Sequence, residues 1–191
     1  MAAFKATRPN VRVDLRIRQG AQVVEEANAQ TIDVGLLYAP RDTPMARHVA
    51  LGETALVCAF PADHPLAAQD VITPRHLDGL SVICTSRDAA VRDAVDAAFA
   101  REGAGKTQFI DVNHTIVACS LARHGLGVAL VEELTAGRDR FDRLAVRPFV
   151  PRIAVTVGYL LPRDRSQSRL TRAFLPALCE AFEAMAAIDI P

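Results

Sequence analysis

The chain has 191 residues, half of them hydrophobic, so it can bury a substantial core in one large domain or two small lobes. Its 22 basic residues balance 22 acidic ones, which leaves no net field to attract nucleic acid or an anionic membrane. It shows no signal peptide, no apolar run near the roughly 20 residues of a membrane span, and no paired metal or redox cysteines, which together predict a cytoplasmic protein.

The first third of the sequence predicts strands around one short helix. Hydrophobic residues alternate with charged ones at Val11, Val13, Leu15 and Ile17, which is the period of a strand with one buried face ending at Gly20. A short helix is expected near residues 23–27. Further strands are expected at residues 32–37 and 53–60, and the proline-rich segment 61–65 is a candidate crossover between lobes.

The remainder alternates strands and helices. The stripe Val91, Val95, Ala98 and Phe99, closed by Gly103, predicts a helix. A second helix is expected after an Asn113 cap, with Ile116, Val117 and Leu121 on its apolar face. Strands are predicted at residues 80–84, 109–112, 128–131, 144–149 and 153–161, a second crossover near Pro148–Pro151, and a C-terminal helix from Ser168 containing Pro176. This alternation of strands and helices indicates an α/β fold with largely parallel sheets.

Enzymatic signatures are largely missing from the sequence. There is no G-x-S-x-G elbow or phosphate-binding loop, and Gly125-Leu126-Gly127 lacks the third glycine of a dinucleotide fingerprint. A small hydrolytic enzyme would have to use a pair such as His114 with Asp111 or Asp88. We therefore expect a protein that is not an enzyme and that requires no cofactor or metal.

Small polar residues gather at two places where a predicted strand gives way to a helix. Thr85, Ser86 and Asp88 form one group, and Asn113, His114 and Thr115 form the other. The simpler interpretation is that these residues only cap helices. In open α/β sheets, however, ligands collect at the carboxyl ends of strands, and helix N-termini suit anions such as carboxylates.

The order of several segments resembles the effector-binding domain of LysR-type transcriptional regulators. The segments are Ile32-Asp33-Val34-Gly35-Leu36, Asp63-His64-Pro65-Leu66-Ala67, Ile72-Thr73-Pro74 and Gly125-Leu126-Gly127-Val128-Ala129-Leu130-Val131. The resemblance implies a fold like type 2 periplasmic binding proteins, with two Rossmann-like lobes joined by two crossovers. Lobe I would contain residues 1–56 and 155–191, and lobe II residues 57–154.

The resemblance also implies a small-molecule effector held between the lobes. Residues 89–103 and 117–136 are further similar to the branch that senses opines and basic amino acids, which suggests an amino-acid-like or other carboxylate metabolite. The expected effector-binding residues are Leu37, Tyr38, Thr85, Ser86, Asp88, Asn113, His114 and Thr115, with Asp88 as the ammonium acceptor. A stand-alone solute-binding protein of the same fold is the alternative.

Two features of the family concern its partners. Its regulators bind DNA through an N-terminal winged helix-turn-helix, and the resemblance implies that these 191 residues begin after that domain and after the first strand of lobe I. DNA recognition is therefore expected only in a full-length protein. The family's effector domains pair as dimers, so a homodimer is expected, with the helices near residues 23–29 and 116–123 as the contact faces.

Overall fold

A computed structural model describes residues 1–38, 45–85, 91–137 and 141–186. The helices are α1 (Ala2–Thr7), α2 (Gly20–Asn28), α3 (Arg92–Glu102), α4 (Thr115–Arg123), α5 (Glu133–Ala136) and α6 (Arg169–Ala186). The strands are β1 (Gly35–Tyr38), β2 (Ala46–Pro61), β3 (Ser81–Thr85), β4 (Gln108–Val112), β5 (Val128–Glu132), β6 (Leu144–Pro148) and β7 (Ala154–Pro162). Within these residues, every helix is too short or too polar to span a lipid bilayer.

The chain divides into two units. Unit 1 contains Met1–Gly52 and the return segment from Thr156 through α6, and unit 2 contains Glu53–Val155. The chain therefore passes between the units within β2 and at the start of β7, whereas the sequence placed the lobe boundaries at 56/57 and 154/155. The proline-rich segment 61–65 forms a turn and the first of two short 3-10 helices, Pro65–Ala68 and Pro74–Leu77.

Unit 2 is built on the strand order β6-β2-β5-β3-β4. Strand β3 pairs with β4 and β5 in parallel, while β2 pairs with β5 and β6 in antiparallel register. The sheet is thus mixed, which corrects the expectation of a largely parallel one. Its core packs α4 against the sheet through small side chains and β-branched residues: Val57, Ala59, Ile83, Ala118, Cys119, Ala122, Ala129, Val131 and Ala136.

Unit 1 combines both ends of the described chain. Strand β1 pairs with β7 in antiparallel register, and Ala27 of α2 packs with Ala46 and Leu160 in a small buried cluster. The Phe4 ring of α1 meets the Phe174 ring of α6 edge to face, with centroids 5.3 Å apart. Helices from opposite ends of the sequence therefore close this unit.

The strand predicted at residues 11–17 is wrong. This segment has no regular secondary structure, and Leu15 and Ile17 expose 78% and 66% of their surface. Alternation makes a strand only where a neighbouring strand supplies hydrogen bonds, and none pairs with this segment among the described residues. Gly20, expected to end that strand, instead begins α2.

Two helix expectations also need correction. In α4 the N-cap residue is His114 rather than Asn113, and the buried residues are Ala118, Cys119 and Ala122. Ile116 and Val117, which the pattern placed on the apolar face, are largely exposed. Helix α3 follows its prediction closely, because Gly103 ends it in the left-handed conformation at φ 67°.

Candidate functional site

The carboxyl ends of β3 and β4 lie side by side in unit 2. Their parallel register pairs Cys84 with Asp111 and Thr85 with Val112, so the residues that follow each strand emerge at the same edge of the sheet. Asn113 and His114 come directly after β4, and α4 begins at Thr115. The structure therefore brings Thr85, Asn113, His114 and Thr115 to one edge.

Helix α4 presents its N-terminus at this edge. The first backbone N–H groups of a helix and its dipole favour a negative charge, and α4 has nine residues. His114 takes the N-cap position without a capping bond from its side chain, and the Thr115 hydroxyl donates to Thr135 Oγ1 at 3.4 Å. Asn113 is exposed, so its amide is open to a ligand.

Of the other four expected residues, two lie in unit 1 and two are not described. Leu37 and Tyr38 are half-buried at the end of β1 in unit 1. Ser86 and Asp88 lie outside the described residues, as does the loop expected between Pro40 and Pro44. Their contribution to an effector site remains a prediction.

A buried arginine that the sequence did not single out holds this edge in place. The Arg92 side chain, in the first turn of α3, is 1% exposed. Its Nε donates to Asp96 Oδ1 at 2.8 Å, and its Nη1 donates to the Thr85 carbonyl at 3.3 Å and to Asp111 Oδ1. The guanidinium also lies over the Phe109 ring, 4.5 Å from its centroid. Arg92 thereby ties α3 to the carboxyl ends of both strands.

The charge on Arg92 is stable in this setting. Desolvation disfavours it, but the hydrogen bonds and negative charges of Asp96 and Asp111 prevail and raise the pKa of Arg92. Because Asp111 is engaged by Arg92, it is not positioned as the dedicated partner of a His114 general base. This argues against the pair of His114 with Asp111; Asp88, the other partner considered for His114, lies outside the described residues.

Glu132, at the end of β5, is a second residue that sequence reasoning missed. It is 3% exposed, and burial raises the pKa of its carboxyl to about 6. The signal was present in the sequence, since an acidic residue directly follows the apolar run Val128–Val131. Arg92 gave a similar signal, because it falls at helical spacing from Val95 and Phe99 on a buried stripe.

The cysteines behave as buried apolar residues. Cys58, Cys84 and Cys119 are buried, and Cys179 is half-buried. Desolvation raises the pKa of Cys84 and of Cys119 to about 11, which leaves little reactive thiolate near neutral pH. Among the described residues, no group of three His, Cys, Asp or Glu side chains is placed to hold a metal ion.

Comparison with known proteins agrees with this architecture. Residues 1–183 match the family model described as the LysR substrate binding domain. The chain is 29% identical over 192 residues to the transcriptional activator protein LysR of Escherichia coli K12, covering 95% of this chain and 61% of that protein. It is also 29% identical over 182 residues to the regulatory protein NocR of Agrobacterium tumefaciens T37, with the same coverage.

Solved structures show the same fold. The effector binding domain of BenM with its effector benzoate superposes with a TM-score of 0.72 at 21% identity, covering 100% of this chain and 86% of that one. The chain spans about three-fifths of the length of the curated relatives it matches. These relatives are regulators, and the matched region is a regulatory rather than a catalytic domain. The chain belongs to the LysR substrate binding domain family.

Proposed function

We propose that this chain senses a small carboxylate metabolite, amino-acid-like in character, whose carboxylate binds at the carboxyl ends of β3 and β4 in unit 2. The observation that carries this proposal is the shared edge at which Thr85, Asn113 and Thr115 stand beside the N-terminus of α4. The Thr85 hydroxyl, the Asn113 amide and the first backbone N–H groups of α4 are donors that together suit a carboxylate, and the helix dipole adds to their effect. BenM, whose domain shares this fold, has benzoate as its effector.

Leu37, Tyr38, Ser86 and Asp88 are proposed to complete the effector site. In the full-length regulator, effector binding would shift the population of domain conformations and so change the DNA-binding state. That regulator is proposed to act in the cytoplasm and to recognise DNA through a winged helix-turn-helix outside this chain.

The carboxylate site can be tested by isothermal titration calorimetry with a panel of amino acids and simple carboxylates. Asn113→Ala is expected to weaken the binding of any hit about 10- to 150-fold, since a hydrogen bond to a charged group contributes roughly 1.5–3 kcal/mol. Gln108→Ala is the matched control, because Gln108 is an exposed residue at the opposite end of the same strand. Equal losses in both variants, or no hit in the panel, would contradict the proposal.

We also propose that two copies of the chain associate through α2 and α4. Ile116 and Val117 expose 58% and 41% of their surface on α4, which is apolar area that a partner subunit can cover. Ile116→Glu is expected to shift sedimentation at high concentration towards monomer. Val71→Glu, at an exposed apolar position outside both helices, is expected to leave association unchanged. A wild-type chain that stays monomeric would refute the pairing.

A further inference from the structure

Two buried polar atoms of unit 2 lack a hydrogen-bond partner among the described residues. They are Oε2 of Glu132 and Oγ1 of Thr54. Glu132 is 3% exposed and Thr54 is 5% exposed, so both side chains are shielded from bulk solvent. An unpaired buried polar group destabilises the folded state. Two such groups in one small unit therefore indicate a site at which a bound ligand supplies the missing hydrogen bonds.

The two residues share one end of the sheet. Strands β2 and β5 are antiparallel, with Leu56 opposite Glu132, so Thr54 lies two positions from the residue facing Glu132. Since alternate residues of a strand share a face, this diagonal spacing brings the two within reach of a single bound group. Within the part of the chain that the structure describes, neither Glu132 Oε2 nor Thr54 Oγ1 makes a hydrogen bond.

Glu132 also lies at the edge that holds the proposed carboxylate site. Strand β3 runs parallel to β5, with Ile83 beside Ala129, so both strands end at the same edge of the sheet. The negative charge of Glu132 contributes to the raised pKa of Cys84 on β3 and of Cys119 on α4. The carboxylate is therefore near both elements that form that site.

No basic side chain among the described residues forms an ion pair with Glu132. Arg92, which lies at this edge, is already paired with Asp96 and Asp111. A buried carboxylate without a counter-charge either takes up a proton or binds a cation from outside the protein. A primary ammonium group suits the second role, because its donors can serve a carboxylate oxygen and a hydroxyl together.

We propose that Glu132 and Thr54 form a subsite in unit 2 that binds the α-ammonium group of an amino-acid effector. This inference rests on the proposed function, in which the effector's carboxylate binds beside Thr85 and Asn113. The proposal restricts the effector to carboxylates that carry an α-amino group. It also assigns the ammonium to Glu132, where the sequence had suggested Asp88.

Calorimetry with paired probes tests the subsite on the 191-residue chain. L-Lysine, L-ornithine, L-glutamate and L-alanine are each compared with the carboxylate that lacks the α-amino group: 6-aminohexanoate, 5-aminopentanoate, glutarate and propionate. At least one α-amino acid is expected to bind, and its partner to bind at least tenfold more weakly. Glu132→Gln is expected to weaken binding of that amino acid about 10- to 100-fold, and Thr54→Val to weaken it severalfold.

Glu53→Gln is the control, because Glu53 is an exposed carboxylate next to Thr54 in β2 and its loss is expected to leave affinity unchanged. Circular dichroism and the urea midpoint establish that each variant is folded. If Glu132→Gln binds the amino acid as tightly as the wild type, or if the probes without an α-amino group bind equally well, the subsite is refuted while the proposed function stands. If no probe of either kind binds, the proposed function and the subsite both fail.

Discussion

At the scale of single residues, Arg92 shows how a charge can be held inside unit 2. Its two carboxylate partners, Asp96 and Asp111, are 48% and 42% exposed, so the network reaches from the interior to solvent. Removing the guanidinium would leave these carboxylates hydrated rather than buried and unpaired. The loss should therefore be smaller than for a fully buried ion pair.

Arg92→Met keeps most of the side-chain length but removes the hydrogen bonds to Asp96, Asp111 and the Thr85 carbonyl. We expect the free energy of unfolding to fall by about 2 kcal/mol, measured by urea denaturation. Arg16→Met is the control, because the Arg16–Asp14 pair is exposed and its loss should not measurably change the free energy of unfolding. Equal stability of Arg92→Met and wild type would contradict the anchoring role.

Glu132 should make stability depend on pH in the absence of effector. Burial raises the pKa of its carboxyl from 4.5 to about 6, so the folded state holds the proton more tightly than the unfolded state. The stabilisation from that proton is present below about pH 4.5 and is lost as pH rises through 6. At roughly 1.4 kcal/mol per pKa unit, the loss is about 2 kcal/mol.

Glu132→Gln removes this titration while keeping the shape of the side chain. The free energy of unfolding of the variant, measured relative to wild type by urea denaturation, should therefore be about 2 kcal/mol higher at pH 7.5 than at pH 4.5. The other carboxyl groups are present in both proteins, so their contributions to the pH dependence cancel when the variant is compared with wild type. A difference in stability between Glu132→Gln and wild type that does not change with pH would contradict this prediction.

At the scale of elements, a glycine controls how closely two strands of unit 2 approach. A Cβ at Gly127, just before β5, would lie 2.5 Å from the Ser81 carbonyl oxygen of β3. The parallel pairing of β3 with β5 depends on this approach, because Val82 pairs with Val128 one position further along. The Gly125-Leu126-Gly127 motif thus serves strand packing, not a dinucleotide.

Gly127→Ala should consequently force the β3 and β5 backbones apart. We expect a loss of about 1–3 kcal/mol in unfolding free energy, the usual range for overpacking. Gly105→Ala is the matched control, since a Cβ at Gly105 meets no atom within 4 Å and stability should change by less than about 0.5 kcal/mol. Equal effects of the two substitutions would show that the strands can adjust.

The elements that could be predicted from sequence are those whose signals are local. Helix α3 has both an apolar stripe and a terminating glycine, and β5 is a continuous apolar run. The segment 11–17 has a local strand pattern but no pairing strand, which no local pattern can reveal. In α4 the pattern favoured bulky residues, whereas the close approach of the helix to the sheet buries Ala118 and Ala122 instead.

At the scale of the whole molecule, the order of elements was sufficient to indicate the LysR effector-binding fold. Half of the candidate residues, Thr85, Asn113, His114 and Thr115, do share one edge, because parallel strands align their carboxyl ends. Glu132 and Thr54 could not be paired from the sequence, since their relation depends on the register of β2 against β5. Local sequence patterns do not specify the register between strands that are far apart in the chain.

The division of the chain predicts how its two units fold separately. Unit 2 is one continuous segment, Glu53–Val155, with its own core around Ile83, Ala129 and Val131. Unit 1 needs both chain ends, because Phe174 of α6 packs on Phe4 and the Phe182 ring crowds Gly52. A fragment of about 100 residues buries enough apolar surface to fold alone, but half of a split unit does not.

A fragment comprising residues 53–155 should therefore unfold cooperatively in urea and give dispersed amide proton signals in its NMR spectrum. A fragment comprising residues 1–52 should remain unfolded, because its apolar faces lack the return segment from Thr156 onward. Adding a peptide of residues 156–191 should restore structure to the 1–52 fragment but leave the 53–155 fragment unchanged. An unfolded 53–155 fragment would mean that unit 2 depends on unit 1 for stability, contrary to the division seen in its contacts.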